Sequence, residues 1–335
     1  MGISPRYSKT GRVIATIDVT GLRAGDADGA VARAIDRACR EHGFFAVVGH
    51  GIPLSLVDEL QRTARAFFAL PDERKLAIAM AHAGRRWRGY FPVGGELTSG
   101  IPDAKEGLYV GRELPADDPR VLAGVPLHGP NLWPDADVPG LRPAVLAWID
   151  AAAEVGQLVM SAIARALALP ADYFARTCMQ DPTLLFRLFH YPPATSSEAW
   201  GVGEHTDYGI LTLLLQDDIG GLEVHSRGAW ITVPPERGAL VCNIGDMLDR
   251  MTGGVYRSTP HRVRNVSGRD RYSFPLFFDP SWDARVTRLP NAPEPSDDAA
   301  ARWDRANVHA FDGTWGEYLM AKIARVFPAL FRDAL

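Results

Sequence analysis

The chain has 335 residues, a formal net charge of −4 at pH 7 and a hydrophobic fraction of 47%. That fraction is enough to build a sizeable core, which argues against a disordered chain. The mild charge gives no electrostatic reason to expect nucleic acid or an anionic membrane surface as a partner. The composition therefore favours a large globular protein that binds neither.

Cysteine usage and the N-terminal segment bear on the cellular compartment. Cys39, Cys178 and Cys242 occur in unrelated contexts, and an odd count without paired spacing argues against a disulfide scaffold. The N-terminal segment has no apolar signal core, its Met-Gly start lacks the Ser or Thr of a myristoylation signal, and no segment approaches 18 apolar residues. We therefore expect a cytoplasmic protein without a membrane partner. The sequence leaves the oligomeric state open and is compatible with a monomer.

Residues 1–141 are predicted to form a mixed α/β region. Apolar residues recur at helical spacing in two segments, of which one ends at Gly43 and the other stops before Pro71. Residues 84–143 are rich in Gly, Pro and Asp, which is typical of irregular structure with short strands. The predicted elements are a strand at 13–19, a helix at 26–43, a β-rich run at 44–52, and helices at 54–70 and 72–81.

Residues 142–335 begin with a long amphipathic helix, predicted at 142–169, and then change in character. Short β runs separated by Gly, Pro and Asp indicate an antiparallel barrel or a double-sheet roll. A final helix is predicted at 314–327, and we expect both parts of the chain to form one compact unit. The β runs are 184–191, 210–217, 222–226, 229–233, 239–245, 255–263 and 271–278.

A candidate metal site occurs in this β-rich part. His205 and Asp207 stand two residues apart, and a hydrogen-bonded pair at a strand start would explain that triplet alone. Residues i and i+2 of a strand share a face, however, and His261 occurs in a later strand of the same region. Two His and one carboxylate form the facial triad of non-haem Fe(II) oxygenases, whereas structural zinc closes with four ligands, typically including cysteine. The pattern therefore predicts an iron site.

An Arg-x-Ser pair follows ten residues after the last of these ligands. Arg271 and Ser273 share a strand face, and a guanidinium binds a carboxylate through two charge-assisted hydrogen bonds to which a hydroxyl can add. Isolated Arg-x-Ser pairs are usually exposed strand residues. The position relative to His261 instead favours binding of the distal carboxylate of 2-oxoglutarate.

The order H-x-D, then about fifty residues, then H, then R-x-S resembles the iron(II)/2-oxoglutarate-dependent dioxygenases of the isopenicillin N synthase-like family. The resemblance covers nearly the whole chain. It implies an α+β fold with a distorted double-stranded β-helix, or jelly-roll, core flanked by helices. The similar segments are 34–53, 88–96, 102–111, 243–263 and 314–328.

The resemblance also implies a role for each matched residue. Tyr191 falls where many members have the Tyr of an Asn-x-Tyr pair, which adds a bond to the far carboxylate of 2-oxoglutarate. Phe189 stands at the Asn position, and this departure removes one contact to the metal-bound end of the co-substrate. The implied Fe(II) ligands are His205, Asp207 and His261, and the implied 2-oxoglutarate contacts are Arg271, Ser273 and Tyr191.

The implied activity is oxidation of a small organic metabolite by Fe(II), O₂ and 2-oxoglutarate, with ascorbate as a supporting reductant in vitro. Hydroxylation is the default outcome, and desaturation, epoxidation or ring closure use the same centre. Two alternatives stay open: an iron oxidase of the same fold that uses no 2-oxoglutarate, and a non-catalytic small-molecule binding protein. The sequence does not name the substrate.

Three aromatic residues are candidates for a substrate wall. Phe277 is four residues after Ser273, so a strand places both on one face. Trp87 and Phe91 flank a segment that resembles a pocket-lining part of the family fold, although packing in the core would also explain them. Nearby Arg85, Arg86 and Arg88 could contact a substrate carboxylate, but charged residues in such runs are more often solvated. We interpret His50, His190, His225 and Asn243 as structural.

Overall fold

The computed structural model describes residues 14–26, 29–193 and 200–328 of the chain. The predictions for residue 13, for the Met-Gly start and for residues 27 and 28 lie outside the described residues. Within them, the strands in chain order are β1 (Ala15–Asp18), β2 (Phe44–Val48), β3 (Gly89–Phe91), β4 (Glu106–Gly111), β5 (Pro182–Tyr191), β6 (Val202–His205), β7 (Leu211–Gln216), β8 (Leu222–Ser226), β9 (Ala229–Val233), β10 (Leu240–Ile244), β11 (His261–Val263) and β12 (Arg271–Ser281).

The helices divide into long ones that pack on the sheets and single-turn ones that shape the connections. Short 3₁₀ segments also occur at Met80–Arg86, Ala299–Ala301 and Val308–Ala310. The α-helices in chain order are α1 (Thr20–Arg23), α2 (Ala30–Glu41), α3 (Leu54–Phe68), α4 (Asp72–Leu76), α5 (Pro119–Leu122), α6 (Leu141–Ala166), α7 (Tyr173–Thr177), α8 (Asp246–Met251) and α9 (Trp315–Val326).

Two sheets form the jelly-roll core. The major sheet has eight strands in the order β1-β2-β10-β7-β12-β5-β4-β3, and the minor sheet has four in the order β6-β11-β8-β9. Only the β1–β2 pair is parallel among the pairs of described strands. The fold is α+β with a jelly-roll core and flanking helices, as the resemblance implied.

The major sheet crosses the boundary predicted at residue 141. Strands β1 and β2 from the N-terminal part pair at one edge, and β3 and β4 pair at the other, so both parts of the chain share one sheet. This arrangement is why β4, far upstream in sequence, supplies side chains to the same face of the sheet as β5 and β12.

Helix α6 supports the back of the major sheet. Its buried face includes Trp148 and Val155, and it packs against α2, α3 and β12. A Cβ at Gly156 would lie 2.9 Å from the Phe278 ring, so glycine permits the close approach of helix and strand. By length and composition α6 could cross a membrane, and half of its apolar window is buried inside the protein. Burial in a core accounts for the same apolarity.

The predicted strand at 255–263 is mostly not a strand, because only its last three residues pair as β11. The hydroxyl of Ser258 instead bonds Asp246 and Asp249, which ties this segment to α8. Helix α8 was not predicted, since six residues are too few to show a helical period. The four-residue strand β6 is not among the predicted β runs, although the spacing argument placed His205, its last residue, on a strand.

Candidate metal centre and active site

Three metal-capable side chains meet at the edge of the minor sheet. His205 ends β6, His261 begins β11, and the two are direct cross-strand partners whose ring centroids lie 4.2 Å apart. Asp207 lies in the turn that follows β6, so it reaches the site from a turn and not from the strand face on which the spacing argument placed it. One ligand atom from each residue lies within 4.8 Å of the other two.

Main-chain hydrogen bonds orient both imidazoles toward the shared point. Nδ1 of His205 lies 2.9 Å from the carbonyl oxygen of Gly203, and Nδ1 of His261 lies 3.2 Å from that of Thr259. Each carbonyl can only accept, so it fixes the proton on Nδ1 and leaves the Nε2 lone pair free. The two Nε2 atoms lie 3.9 and 3.7 Å from Oδ1 of Asp207.

The protonation states suit metal binding. Burial lowers the pKa of both imidazoles, to about 4 for His261, where the neighbouring His205 adds to the effect. Both rings are therefore neutral near pH 7, which is the form that binds a metal. Burial alone would raise the pKa of Asp207, but the two imidazoles and two hydrogen bonds outweigh it and lower the pKa.

The two oxygens of the Asp207 carboxylate have separate environments. Oδ2 accepts hydrogen bonds from Oγ1 of Thr212 at 2.5 Å and from Nδ2 of Asn243 at 2.6 Å. The main-chain oxygen of Asp207 accepts from the N–H of Asp246 at 2.8 Å, which fixes the turn. Oδ1 is left facing the imidazoles. Two imidazoles and one carboxylate oxygen on one side form the donor set that suits Fe(II) with open positions for other ligands.

A second constellation surrounds the buried guanidinium of Arg271. This side chain is fully buried; its Nε donates to the carbonyl of Gly220, and its Nη2 lies 3.3 Å from Oε1 of Gln216. Nη1 is buried without a hydrogen-bond partner in the described part of the chain. A buried unpaired donor on a charged group is costly unless a ligand satisfies it, and a carboxylate is the matching ligand.

Strand register brings the other predicted contacts to this guanidinium. Arg271 of β12 stands opposite Tyr191 of β5, and Arg271 Cζ lies 4.7 Å from the Tyr191 ring centroid. The hydroxyls of Ser273 and Tyr191 lie 3.4 Å apart. Phe189 lines the same cavity, so its departure from Asn places an apolar ring where the resemblance implied an amide.

One cavity of about 150 Å³ joins the metal centre to the Arg271 constellation. Its wall includes both sheets and the C-terminal helix α9, which covers it with apolar side chains. Sequence reasoning predicted α9 but not its place over the cavity. The residues of and just after α9 that line the cavity are Trp315, Leu319, Ile323, Val326 and Phe327.

The structure brings one of the three predicted wall aromatics to the cavity. Phe277 lines it directly. Phe91 lies behind the wall, with its ring centroid 5.2 Å from that of Tyr109 and 6.4 Å from that of Phe189. Trp87 is buried, with 3% of its surface exposed, and does not line the cavity. The segment around Trp87 therefore supports the pocket from outside.

The arginines next to Trp87 do not reach the cavity either. Arg88 is buried and donates to Oδ1 of Asn131 at 2.7 Å and to the carbonyl of Leu127 at 2.6 Å. Arg86 donates to main-chain carbonyls, including that of Pro130 at 3.2 Å. These bonds hold the irregular segment together and explain why Arg88 is buried and Arg86 half-buried, whereas Arg85 is exposed, as charged residues in such runs more often are.

Two groups of functional residues were missed by sequence reasoning. Thr212 and Asn243 position Asp207, and Asn243 had been interpreted only as part of a turn. Arg187 and Lys105 place cationic groups in the cavity wall. A faint signal existed for Arg187, because it alternates with Phe189 and Tyr191 on β5 and so shares their face.

The histidines interpreted as structural lie away from the metal centre. His190 contacts Glu106 at 2.6 Å and Asp270 at 2.9 Å. His50 bonds a main-chain carbonyl at 2.7 Å, and His225 packs on a tryptophan ring. None of the three lines the cavity.

Comparison with known proteins gives the family. A family model described as the N-terminal part of a non-haem dioxygenase in morphine synthesis matches residues 14–136, and the model of the 2OG-Fe(II) oxygenase superfamily matches residues 182–280. The matches cover more than half of the chain, which therefore belongs to the 2OG-Fe(II) oxygenase superfamily. The protein is an Fe(II)/2-oxoglutarate-dependent dioxygenase, an oxidoreductase whose class acts on small molecules.

Individual relatives and a solved structure are similar to this chain over nearly its full length. A protein of Dictyostelium discoideum named a probable iron/ascorbate oxidoreductase is 49% identical, and the match covers 91% of each chain. A 1-aminocyclopropane-1-carboxylate oxidase of Dictyostelium mucoroides is 38% identical, over 93% of this chain and 94% of that one. A full-length Neurospora crassa protein crystallised with alpha-KG superposes with a TM-score of 0.79 at 28% identity, over 97% of this chain and all of the other. Iron and 2-oxoglutarate as cofactors, and ascorbate as support, agree with these relatives.

Proposed function

We propose that His205, Asp207 and His261 bind the Fe(II) of this oxygenase, and that Arg271, Ser273 and Tyr191 hold the distal carboxylate of 2-oxoglutarate. The observation that carries the proposal is the buried Nη1 of Arg271, which has no hydrogen-bond partner among the described residues and belongs to the wall of the cavity that also contains the His-Asp-His cluster. When bound, Fe(II), 2-oxoglutarate and O₂ supply the oxidising equivalents, with succinate and CO₂ as by-products.

The protein's own residues orient the metal ligand Asp207 and exclude water from the cavity. Asn243 and Thr212 hold one oxygen of Asp207 so that the other faces the metal. The apolar side chains of α9, with Phe277 opposite in the wall, cover the cavity. Such a dry site strengthens the electrostatic interactions inside it. Hydroxylation of a small, partly apolar metabolite is the reaction that we propose.

A second candidate is an iron oxidase that does not use 2-oxoglutarate. The reason to keep it is the name of one relative, which mentions iron and ascorbate and not 2-oxoglutarate. The empty hydrogen-bonding capacity of Arg271 favours the 2-oxoglutarate-dependent reaction. A third candidate, a non-catalytic binding protein, has no use for an oriented metal triad.

The deciding experiment measures 2-oxoglutarate binding and succinate release separately. Anaerobic titration of 2-oxoglutarate into the Fe(II)-loaded protein should give the charge-transfer absorption of a chelated oxo-acid. Admission of O₂ should then release succinate, even slowly without substrate. Oxidation of a substrate at full rate without 2-oxoglutarate would favour the oxidase. Absence of both succinate and O₂ consumption with every candidate substrate would favour the binding protein.

A further inference from the structure

The cavity wall contains a second guanidinium, which the metal centre and the Arg271 constellation do not use. Arg187 lies on β5, lines the cavity, and has only 8% of its surface exposed. No carboxylate in the described residues lies within ion-pair distance of it. Its Nη1 makes long hydrogen bonds to the main-chain carbonyls of Phe186 and Val110, at 3.2 and 3.5 Å.

The orientation of this guanidinium is fixed by an aromatic ring. Arg187 and Tyr109 are cross-strand partners of β5 and β4, and Arg187 Cζ lies 3.5 Å from the centroid of the Tyr109 ring. The Tyr109 hydroxyl in turn donates to Glu96. Because the Tyr109 ring already restricts the Arg187 guanidinium, this side chain loses little conformational freedom when it binds a planar carboxylate. Arg187 is therefore preorganised for such a ligand.

The neighbouring acidic groups are already occupied or favour the neutral form. Glu96 pairs with Nζ of Lys105 at 2.8 Å, and Asp103 pairs with the same ammonium at 2.5 Å. Asp279 accepts a hydrogen bond from the N–H of Ile210, and burial raises its pKa well above the ordinary value. Apart from Arg271, whose proposed ligand is the co-substrate, Arg187 is the cationic side chain of the wall that the described residues leave without a close counter-charge.

The distal carboxylate of 2-oxoglutarate cannot be that counter-charge. Tyr191, which touches the Arg271 constellation, is four residues from Arg187 on β5, or about 13 Å along the strand. One carboxylate cannot contact both ends of this interval. The cavity wall therefore presents two separated guanidinium groups, and Arg187 lies on the strand four residues away from the position that faces Arg271.

We propose that the substrate is a small monocarboxylate whose carboxylate binds Arg187 and whose body lies against the apolar wall that includes Phe277 and Leu185. This inference rests on the proposed function. A single guanidinium matches one negative charge, whereas a phosphate monoester would bring close to two and leave charge uncompensated in a buried site.

The test compares acids with uncharged analogues of the same shape. Benzoate, phenylacetate and hexanoate, each paired with its primary amide, are titrated into the anaerobic Fe(II)–2-oxoglutarate protein, and binding is read from the change in the charge-transfer absorption. We expect at least one acid to bind and to exceed its amide by about tenfold or more in affinity. The aerobic rate of succinate release should follow the same preference.

Variants of Arg187 test whether this residue causes the preference for acids over amides. Arg187→Met should remove the preference for acids and leave the affinity for 2-oxoglutarate unchanged, and Arg187→Lys should keep part of it. Arg112→Met, which removes an exposed arginine paired with Asp181, is the matched control and should behave as the wild type. If Arg187→Met does not fold, the preference for acids over amides in Arg187→Lys and in the wild type still tests the proposal.

The outcomes separate the two proposals. A wild-type protein that binds amides as tightly as acids, or binds no acid of the set, overturns the carboxylate assignment, as does an Arg187→Met protein that keeps the preference. In each of these cases 2-oxoglutarate still binds and is turned over. Loss of 2-oxoglutarate binding or of succinate release in the wild type would instead contradict the proposed function.

Discussion

Asn243 donates a hydrogen bond of 2.6 Å from Nδ2 to Oδ2 of Asp207, across 36 residues of sequence. The bond joins β10 of the major sheet to the turn that carries the only carboxylate of the metal cluster. Because Oδ2 is held there, Oδ1 alone faces the imidazoles, which makes Asp207 a ligand through one oxygen. A residue of the major sheet therefore orients Asp207, the metal ligand in the turn that follows β6 of the minor sheet.

Removal of that bond should weaken metal binding without unfolding the protein. We expect Asn243→Ala to lower the Fe(II) affinity by about 10- to 100-fold, the range typical of residues that orient metal ligands. Competition with a fluorescent chelator measures the affinity, and thermal unfolding of the metal-free protein reports stability. Asn291→Ala, at an exposed position, is the control. An unchanged Fe(II) affinity in Asn243→Ala would show that Thr212 alone orients the carboxylate.

Arg271→Leu should separate co-substrate binding from metal binding. Loss of a charge-assisted hydrogen bond of about 1.5–3 kcal/mol corresponds to a fall of at least about tenfold in 2-oxoglutarate affinity. Fe(II) binding should stay as in the wild type, because Arg271 does not contact the triad. Stabilisation by 2-oxoglutarate, about 2.7 kcal/mol at a hundred times the wild-type Kd, should fall to about 1.4 kcal/mol or less at the same concentration. Full stabilisation in the variant would place the carboxylate elsewhere.

The sequence predicted the parts of the site that depend on short spacing. The interval between His205 and Asp207, and that between Arg271 and Ser273, are each two residues, and the chemistry of each pair is specific. Phe277 followed from the same period on one strand. These predictions needed only the geometry of a single strand or turn.

Contacts between distant segments could not be predicted in this way. The pairing of Arg187 with Tyr109 depends on the register of β4 against β5, and 78 residues separate the two in sequence. Asn243 meets Asp207 because two sheets pack together, which no local pattern shows. Trp87 was assigned by its neighbours in sequence, but its backbone has φ 48°, and the ring does not line the cavity.

Trp87→Ala should act mainly on stability, and Phe277→Ala mainly on ligand binding. Trp87 is buried in the core, so its truncation should cost about 3–5 kcal/mol of unfolding free energy. Phe277 is only partly buried and faces the cavity, so its truncation should cost less and should weaken the binding of hexanoate and hexanamide alike. Urea unfolding and ligand titration measure the two quantities. If Trp87→Ala binds the ligands more weakly and Phe277→Ala does not, Trp87 and not Phe277 forms the substrate wall.

The buried carboxyl of Asp279 should make the stability of the folded protein depend on pH. Burial raises the pKa of this carboxyl well above its ordinary value, while its Oδ1 accepts the N–H of Ile210 at 3.1 Å. Since the folded state binds the proton more tightly than the unfolded state, where the pKa is about 3.9, this group contributes stability at low pH that is lost as the pH rises toward the folded pKa. Near pH 7 the acid therefore destabilises the fold relative to a neutral side chain that keeps the hydrogen bond.

Asp279→Asn supplies such a side chain, because its amide oxygen can accept the same N–H. We expect the variant to unfold at a higher temperature than the wild type near pH 7, with the difference shrinking as the pH falls toward 4, where the wild-type carboxyl is protonated in the folded state. Asp283→Asn, at an exposed position, should show no such dependence. Thermal unfolding across this pH range is the measurement. A lower unfolding temperature for Asp279→Asn at pH 7 would mean that the carboxyl is ionised in the folded protein and that its charge, near Arg187, stabilises the cavity wall.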